Sequence, residues 1–160
     1  MLKKILILFS WILFAQQIFA QNKVAVVNFA QLEPMLQREN DTIYVVNFWA
    51  TWCRPCVAEL PFFEELTEKN QKNPLKVVLV SLDFGTQLES KLIPFLRKNK
   101  IKSFVVLLSD KNANAWIQKI NPSWSGAIPA TLCYKGKKSI FHEQEFENFE
   151  DLENFVTQLK

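Results

Sequence analysis

Histidine is nearly missing from this 160-residue chain: His142 stands alone, and cysteine occurs only at positions 53, 56 and 133. A closed zinc centre built from soft or imidazole ligands would have to use all four. An excess of one charge is missing too. Lys and Arg number 19 against 16 Asp and Glu, and two of the cations, Lys3 and Lys4, lie at the extreme N-terminus. With neither a basic stripe nor an acidic tail, nucleic acid and anionic membrane surfaces are poor partners. No internal repeat or low-complexity stretch is found, and nothing marks a second domain. The apolar run Ile5–Ala15, broken only by Ser10, falls short of the roughly 20 residues a bilayer span needs.

That run instead fits an export signal over residues 1–20. Lys3-Lys4 supply the positive region, and Gln16-Gln17 lead to Ile18-Phe19-Ala20, whose small last residue suits signal peptidase. An uncleaved N-terminal anchor is the alternative. Residues 21–160, in a chain that is 49% hydrophobic, are expected to form one globular domain with a real core.

Within that domain the segment Phe48-Trp49-Ala50-Thr51-Trp52-Cys53-Arg54-Pro55-Cys56 carries the chemistry. It follows the β-branched apolar run Ile43-Tyr44-Val45-Val46 and precedes a helical pattern. Cys53 is thereby placed at a helix N-terminus, where unpaired N–H groups and the macrodipole favour a thiolate. Cys56, about one turn on, can close a small ring with it, so the pair reads as a redox-active dithiol. Half of a zinc site and a structural staple compete with this reading. The first lacks ligands other than Cys133 and His142, and the second closes too short a loop to constrain the unfolded chain much.

Along the rest of the chain, strands are expected at 23–29, 42–48, 75–82, 103–108, 129–134 and 139–146. Helices are expected at 30–39, from Cys53 to about Asn70, after a Thr86 cap, near 114–120 and at 150–159. Pro61 should bend the second helix. Strands alternating with helices, then a hairpin and a last helix, predict an α/β three-layer sandwich with a mixed central sheet. Cys133, four residues past Pro129, lies about 13 Å along an extended strand at ~3.3 Å per residue, and reads as a small buried hydrophobe. His142 reads as a packed or surface residue, on the same face as Cys133 if the hairpin turns at Gly136-Lys137. Asp83 reads as a loop-capping residue.

The stretch Val45 to Pro61, with Ile128-Pro129-Ala130-Thr131 downstream, resembles thioredoxin-like proteins of the extracytoplasmic TlpA/ResA-like branch. The resemblance implies a thioredoxin-like α/β/α sandwich with an inserted strand and helix between about residues 76 and 112. It also implies a catalytic set of Cys53, Cys56, Glu59 and Pro129, Pro129 being the cis proline that faces the dithiol. Substrate contacts are expected from Trp52, Arg54, Pro55, Ile128 and Trp124. Arg54 either promotes the Cys53 thiolate or is a solvated charge, and Trp124 either lines the surface or packs inside. Glu59, three residues past Cys56 on one helix face, either handles the Cys56 proton or complements the helix dipole.

The function so implied is exported thiol:disulfide exchange, reducing disulfides in extracytoplasmic proteins without metal or other cofactor. The protein would be a monomer, periplasmic or held at the outer face of the inner membrane, and recharged by a membrane-bound thiol reductant. Targets implied by the family include apocytochrome c thiols, metal-site assembly proteins and disulfide repair. Two alternatives remain: a copper- or zinc-handling protein using the pair, and a peroxiredoxin-like peroxidase. The latter needs a threonine and a proline just before a single reactive cysteine, an arrangement missing here.

Overall fold

The computed structural model describes residues 24–159, so the predicted export signal lies outside it. Six strands form one mixed sheet in the order β1-β4-β3-β2-β5-β6. These are β1 (Ala25–Val27), β2 (Ile43–Trp49), β3 (Leu75–Ser81), β4 (Phe104–Leu108), β5 (Ala130–Lys135) and β6 (Lys138–His142). The first four run parallel, β5 is antiparallel to β2, and β6 is antiparallel to β5. Among the described residues five α-helices, α1 (Phe29–Leu32), α2 (Arg54–Lys69), α3 (Ile93–Lys98), α4 (Ala113–Ile120) and α5 (Phe149–Thr157), flank the sheet. None of the described helices is long and apolar enough to cross a membrane.

Strand β2 is buried along its whole length, as suits a central strand covered on both faces whose sequence is apolar but for Asn47. Its alternation sorts the core into two layers. Ile43, Val45 and Trp49 face one cluster with Leu60, Phe63 and Leu66 of α2, Leu96 of α3 and Leu152 and Val156 of α5. Tyr44, Val46 and Phe48 face the other, with Phe29 and Leu32 of α1 and Trp116 of α4. The predicted three-layer sandwich is thus the observed fold.

Several boundaries differ from expectation for local reasons. The first helix stops at Leu32 and continues only as one 3-10 turn, Glu33–Met35, because Pro34 has no N–H to extend it. Asn28 ends the short β1 by capping α1, its side chain accepting from the Gln31 N–H. Thr86 caps nothing. The chain instead passes from a 3-10 turn (Gly85–Gln87) through a single π turn (Leu88–Leu92) into α3, where Pro94 interrupts the α-type ladder. Helix α2, by contrast, runs unbroken through Pro61, which is exposed on its outer side. Strand β6 ends at His142 rather than 146, since the following residues turn inward to bond other elements.

Candidate active site

Strand register assembles the site. Trp49 pairs with Ser81 across the parallel β2/β3 ladder, so both strands end at one edge of the sheet. Phe48 pairs with Ala130 across the antiparallel β2/β5 ladder, so β5 begins at that same edge. The loops carrying Cys53, Asp83 and Ile128-Pro129 therefore converge, although 75 residues separate Cys53 from Ile128. The Ile128–Pro129 peptide is cis and Pro129 is buried, with the Ile128 carbonyl oxygen 3.7 Å from Cys53 Sγ. Cys53 and Cys56 are joined in a disulfide, so that sulfur has no proton to donate and the approach is a van der Waals contact. In the reduced protein the same oxygen is placed to accept from the thiol.

Cys53 is the N-cap of α2, and its Sγ accepts from the Cys56 N–H at 3.3 Å. A sulfur at this position meets an unpaired backbone donor and the positive end of a 16-residue helix. Cys53 is 6% exposed and Cys56 fully buried beneath it. An incoming group can therefore meet the first sulfur but not the second.

Below the pair, Glu59 is 1% exposed. Its Oε1 accepts from Asn47 Nδ2 at 2.7 Å and its Oε2 from the Phe146 N–H at 2.9 Å. Burial, which penalises the charged form, outweighs both bonds and pushes its pKa up to about 7, with Glu145 adding a little repulsion. Asn47 Nδ2 also donates to Thr131 Oγ1, the residue opposite it in the sheet. An aspartate at 47 would set a second carboxylate against Glu59. The amide instead holds the acid without competing for its proton.

A further residue bonds to this loop in a way its sequence position gave no sign of. Asp83, 2% exposed, accepts from the Thr51 N–H at 3.1 Å, the Thr51 hydroxyl at 2.6 Å and the Ser81 hydroxyl at 2.8 Å. It closes its own turn, as expected, by receiving Ser81, but it also clamps the loop two residues before Cys53. Only the β2/β3 register brings Thr51 within reach.

The remaining sequence-predicted residues divide. Trp52 is 58% exposed, Arg54 is exposed and Pro55 half-buried, all beside Cys53. Ile128 is half-buried against both core layers. Trp124 does not line this surface. It is buried, packed on Phe48, Trp116 and Phe141, and donates its Nε1–H to the Ala127 carbonyl at 2.8 Å. Its bulk supports the segment that delivers Pro129, and it is a packing residue.

Cys133 is free and buried in β5, and burial pushes its thiol up to about 12. His142 shares its sheet face, as the hairpin register of Cys133 with Ile140 and Thr131 with His142 requires. It stacks on Phe146 with ring centroids 4.6 Å apart, and burial lowers its pKa. Among the described residues no group of three or more His, Cys, Asp or Glu side chains is arranged to hold a metal ion, so neither Cys133 nor His142 joins the pair in a metal-binding cluster.

This chain is similar to several known proteins. Thiol-disulfide oxidoreductase ResA of Oceanobacillus iheyensis is 48% identical over 44 residues, 28% of this chain and 22% of its own length. Sporulation thiol-disulfide oxidoreductase A of Bacillus subtilis is 31% identical over 67 residues, 42% of this chain and 40% of its own. The aligned stretches thus span less than half of these curated relatives. Among solved structures, the thioredoxin-related protein from Neisseria meningitidis serogroup B superposes with a TM-score of 0.63 at 22% identity, covering 77% of this chain and 88% of that one. StoA from Bacillus subtilis superposes at 0.55 and 20%, covering 74% and 84%. A model of the AhpC/TSA family matches residues 32–141, from the end of α1 into β6. With the dithiol, its clamp and the cis proline all inside that span, the chain belongs to the thioredoxin-like AhpC/TSA family.

Proposed function

We propose that this protein is an extracytoplasmic thiol:disulfide oxidoreductase that reduces disulfides in other proteins. The observation that carries the reading is the asymmetric pair: Cys53 at the helix tip where a substrate can reach it, Cys56 sealed beneath, and an acid titrating near 7 one turn further along. Two relatives bear the name thiol-disulfide oxidoreductase, which supports the same chemistry. Export is supported by the sequence of residues 1–20 and gives a dithiol its substrates, since disulfides persist outside the cytosol. The Arg54-Pro55 dipeptide, without histidine between the cysteines, favours the reducing direction.

In the reduced protein the Cys53 thiolate attacks one sulfur of a substrate disulfide. That bond breaks, a mixed disulfide forms, and the released substrate thiolate takes a proton. Cys56 then gives its proton to Glu59 and attacks Cys53 Sγ. The second substrate thiolate leaves, and the Cys53–Cys56 bridge retains the oxidising equivalents, two electrons having passed to the substrate. Ile128, beside Cys53, offers backbone groups to an extended substrate, and Trp52, Arg54 and Pro55 form the adjoining surface. A membrane-bound thiol reductant would restore the dithiol.

Two variants test the scheme. Wild type should reduce insulin and Cys53→Ser should not, whereas Cys56→Ser should accumulate a mixed disulfide whose partner mass spectrometry can identify. Insulin reduction that survives Cys53→Ser, or a Cys56→Ser protein that traps nothing, would sink the proposal.

A further inference from the structure

Two of the most exposed large apolar side chains among the described residues, Trp52 at 58% and Phe84 at 65%, belong to neighbouring loops at the dithiol edge. Trp52 adjoins Thr51, Phe84 adjoins Asp83, and Thr51 and Asp83 are bonded to each other through backbone and hydroxyl. The two rings are therefore carried on loops that cannot drift apart. Phe84 sits on fixed backbone as well: its carbonyl accepts from the Gln87 N–H at 2.7 Å. An exposed aromatic ring carried on fixed backbone is poorly placed for the lone molecule and well placed for contact, because little backbone ordering entropy remains to be lost.

We propose that Phe84 extends the substrate surface of the dithiol beyond Trp52 and selects disulfides flanked by apolar side chains, as found in incompletely folded polypeptides. The inference rests on the oxidoreductase reading and names its substrate class. Cys53 is only 6% exposed, so a disulfide reaching it must lie against the surface around it. In a finished fold the apolar neighbours of a disulfide are mostly buried, whereas in an incomplete one they are free to meet Phe84. A second copy of this chain is a worse occupant. Two partly exposed rings supply at most a few hundred Å², against the roughly 1,200 Å² of a stable interface.

The test compares two disulfides in wild type, Phe84→Ser and Phe84→Leu: a short peptide with aromatic residues beside its cystine, and hydroxyethyl disulfide, which has no apolar flank. The readout is the ratio of the two kcat/KM values. Phe84→Ser should lower that ratio about tenfold, and Phe84→Leu should restore most of it. An unchanged ratio, or an equal fall on both substrates, overturns the proposal and leaves the oxidoreductase reading standing. So does a wild-type dimer in sedimentation that Phe84→Ser dissolves. Failure of wild type on both substrates overturns the two readings together.

Discussion

Glu59 accepts hydrogen bonds from Asn47 and Phe146 and still titrates near 7, because its desolvation exceeds what those bonds contribute. The consequence for stability has a definite sign. Below pH ~4.5 the carboxyl is protonated in the folded and unfolded chain alike. Between that value and about 7 the unfolded chain releases the proton while the fold retains it, so stability falls as pH rises, and the loss is complete above the folded value. At about 1.4 kcal/mol for each pH unit between the two, it amounts to about 3 kcal/mol. Glu59→Gln should lack this slope, so its stability relative to wild type should climb by that amount from pH 4 to 8 in urea titrations. A flat difference would mean that burial does not govern the acid. Residue spacing alone placed Glu59 beside Cys56, three positions apart on one helix. Its partners were not legible, because Phe146 is 87 positions away and Asn47 reads as an inert amide until its donors are located.

Loops make the site at the level of elements, and Asp83 shows how. Its carboxylate satisfies the Thr51 N–H and the hydroxyls of Thr51 and Ser81 in a largely buried position. Asp83→Ala leaves those donors unpaired and should cost about 2–3 kcal/mol, read as a lower denaturant midpoint. It should also slow attack by Cys53 on a small disulfide, since the loop before that residue is released. A variant within ~0.5 kcal/mol of wild type would show that the clamp is idle. The strands that bring this loop to its partner were readable, since β2, β3 and β4 are apolar runs of the right length. The ends of elements were less so. Pro34 cut the first helix short, and the predicted tail of β6 was drawn off by Glu143, which receives the Ser125 and Ala127 N–H groups. Such long-range partners leave no local pattern in the sequence.

Over the whole molecule, the sheet separates two apolar layers and leaves its chemistry at one edge. The layered architecture was legible from the order of elements, whereas the site's location needed the register by which β2 and β3 end, and the antiparallel β5 begins, at one edge. The sequence leaves Trp124 open between surface and interior, because a tryptophan near a reactive loop can face either way until the packing of Phe48, Trp116 and Phe141 is known. The buried Cys133 gives a test of global integrity. In the native reduced protein at pH 8, iodoacetamide should modify Cys53 and spare Cys133, whose thiol burial holds near 12. In denaturant all three cysteines should react, and native labelling of Cys133 would reveal a core far looser than the one described. The bond from Phe146 to Glu59 spans 87 positions. It ties the polypeptide leading into the last helix to a group under the sulfur pair, so peeling that lead-in away would flood the acid with solvent and return it to ordinary carboxylate behaviour. In the proposed mechanism the cysteines would then still bridge but lack a proton acceptor tuned to neutral pH, so the lead-in to the last helix would set the behaviour of the reactive tip.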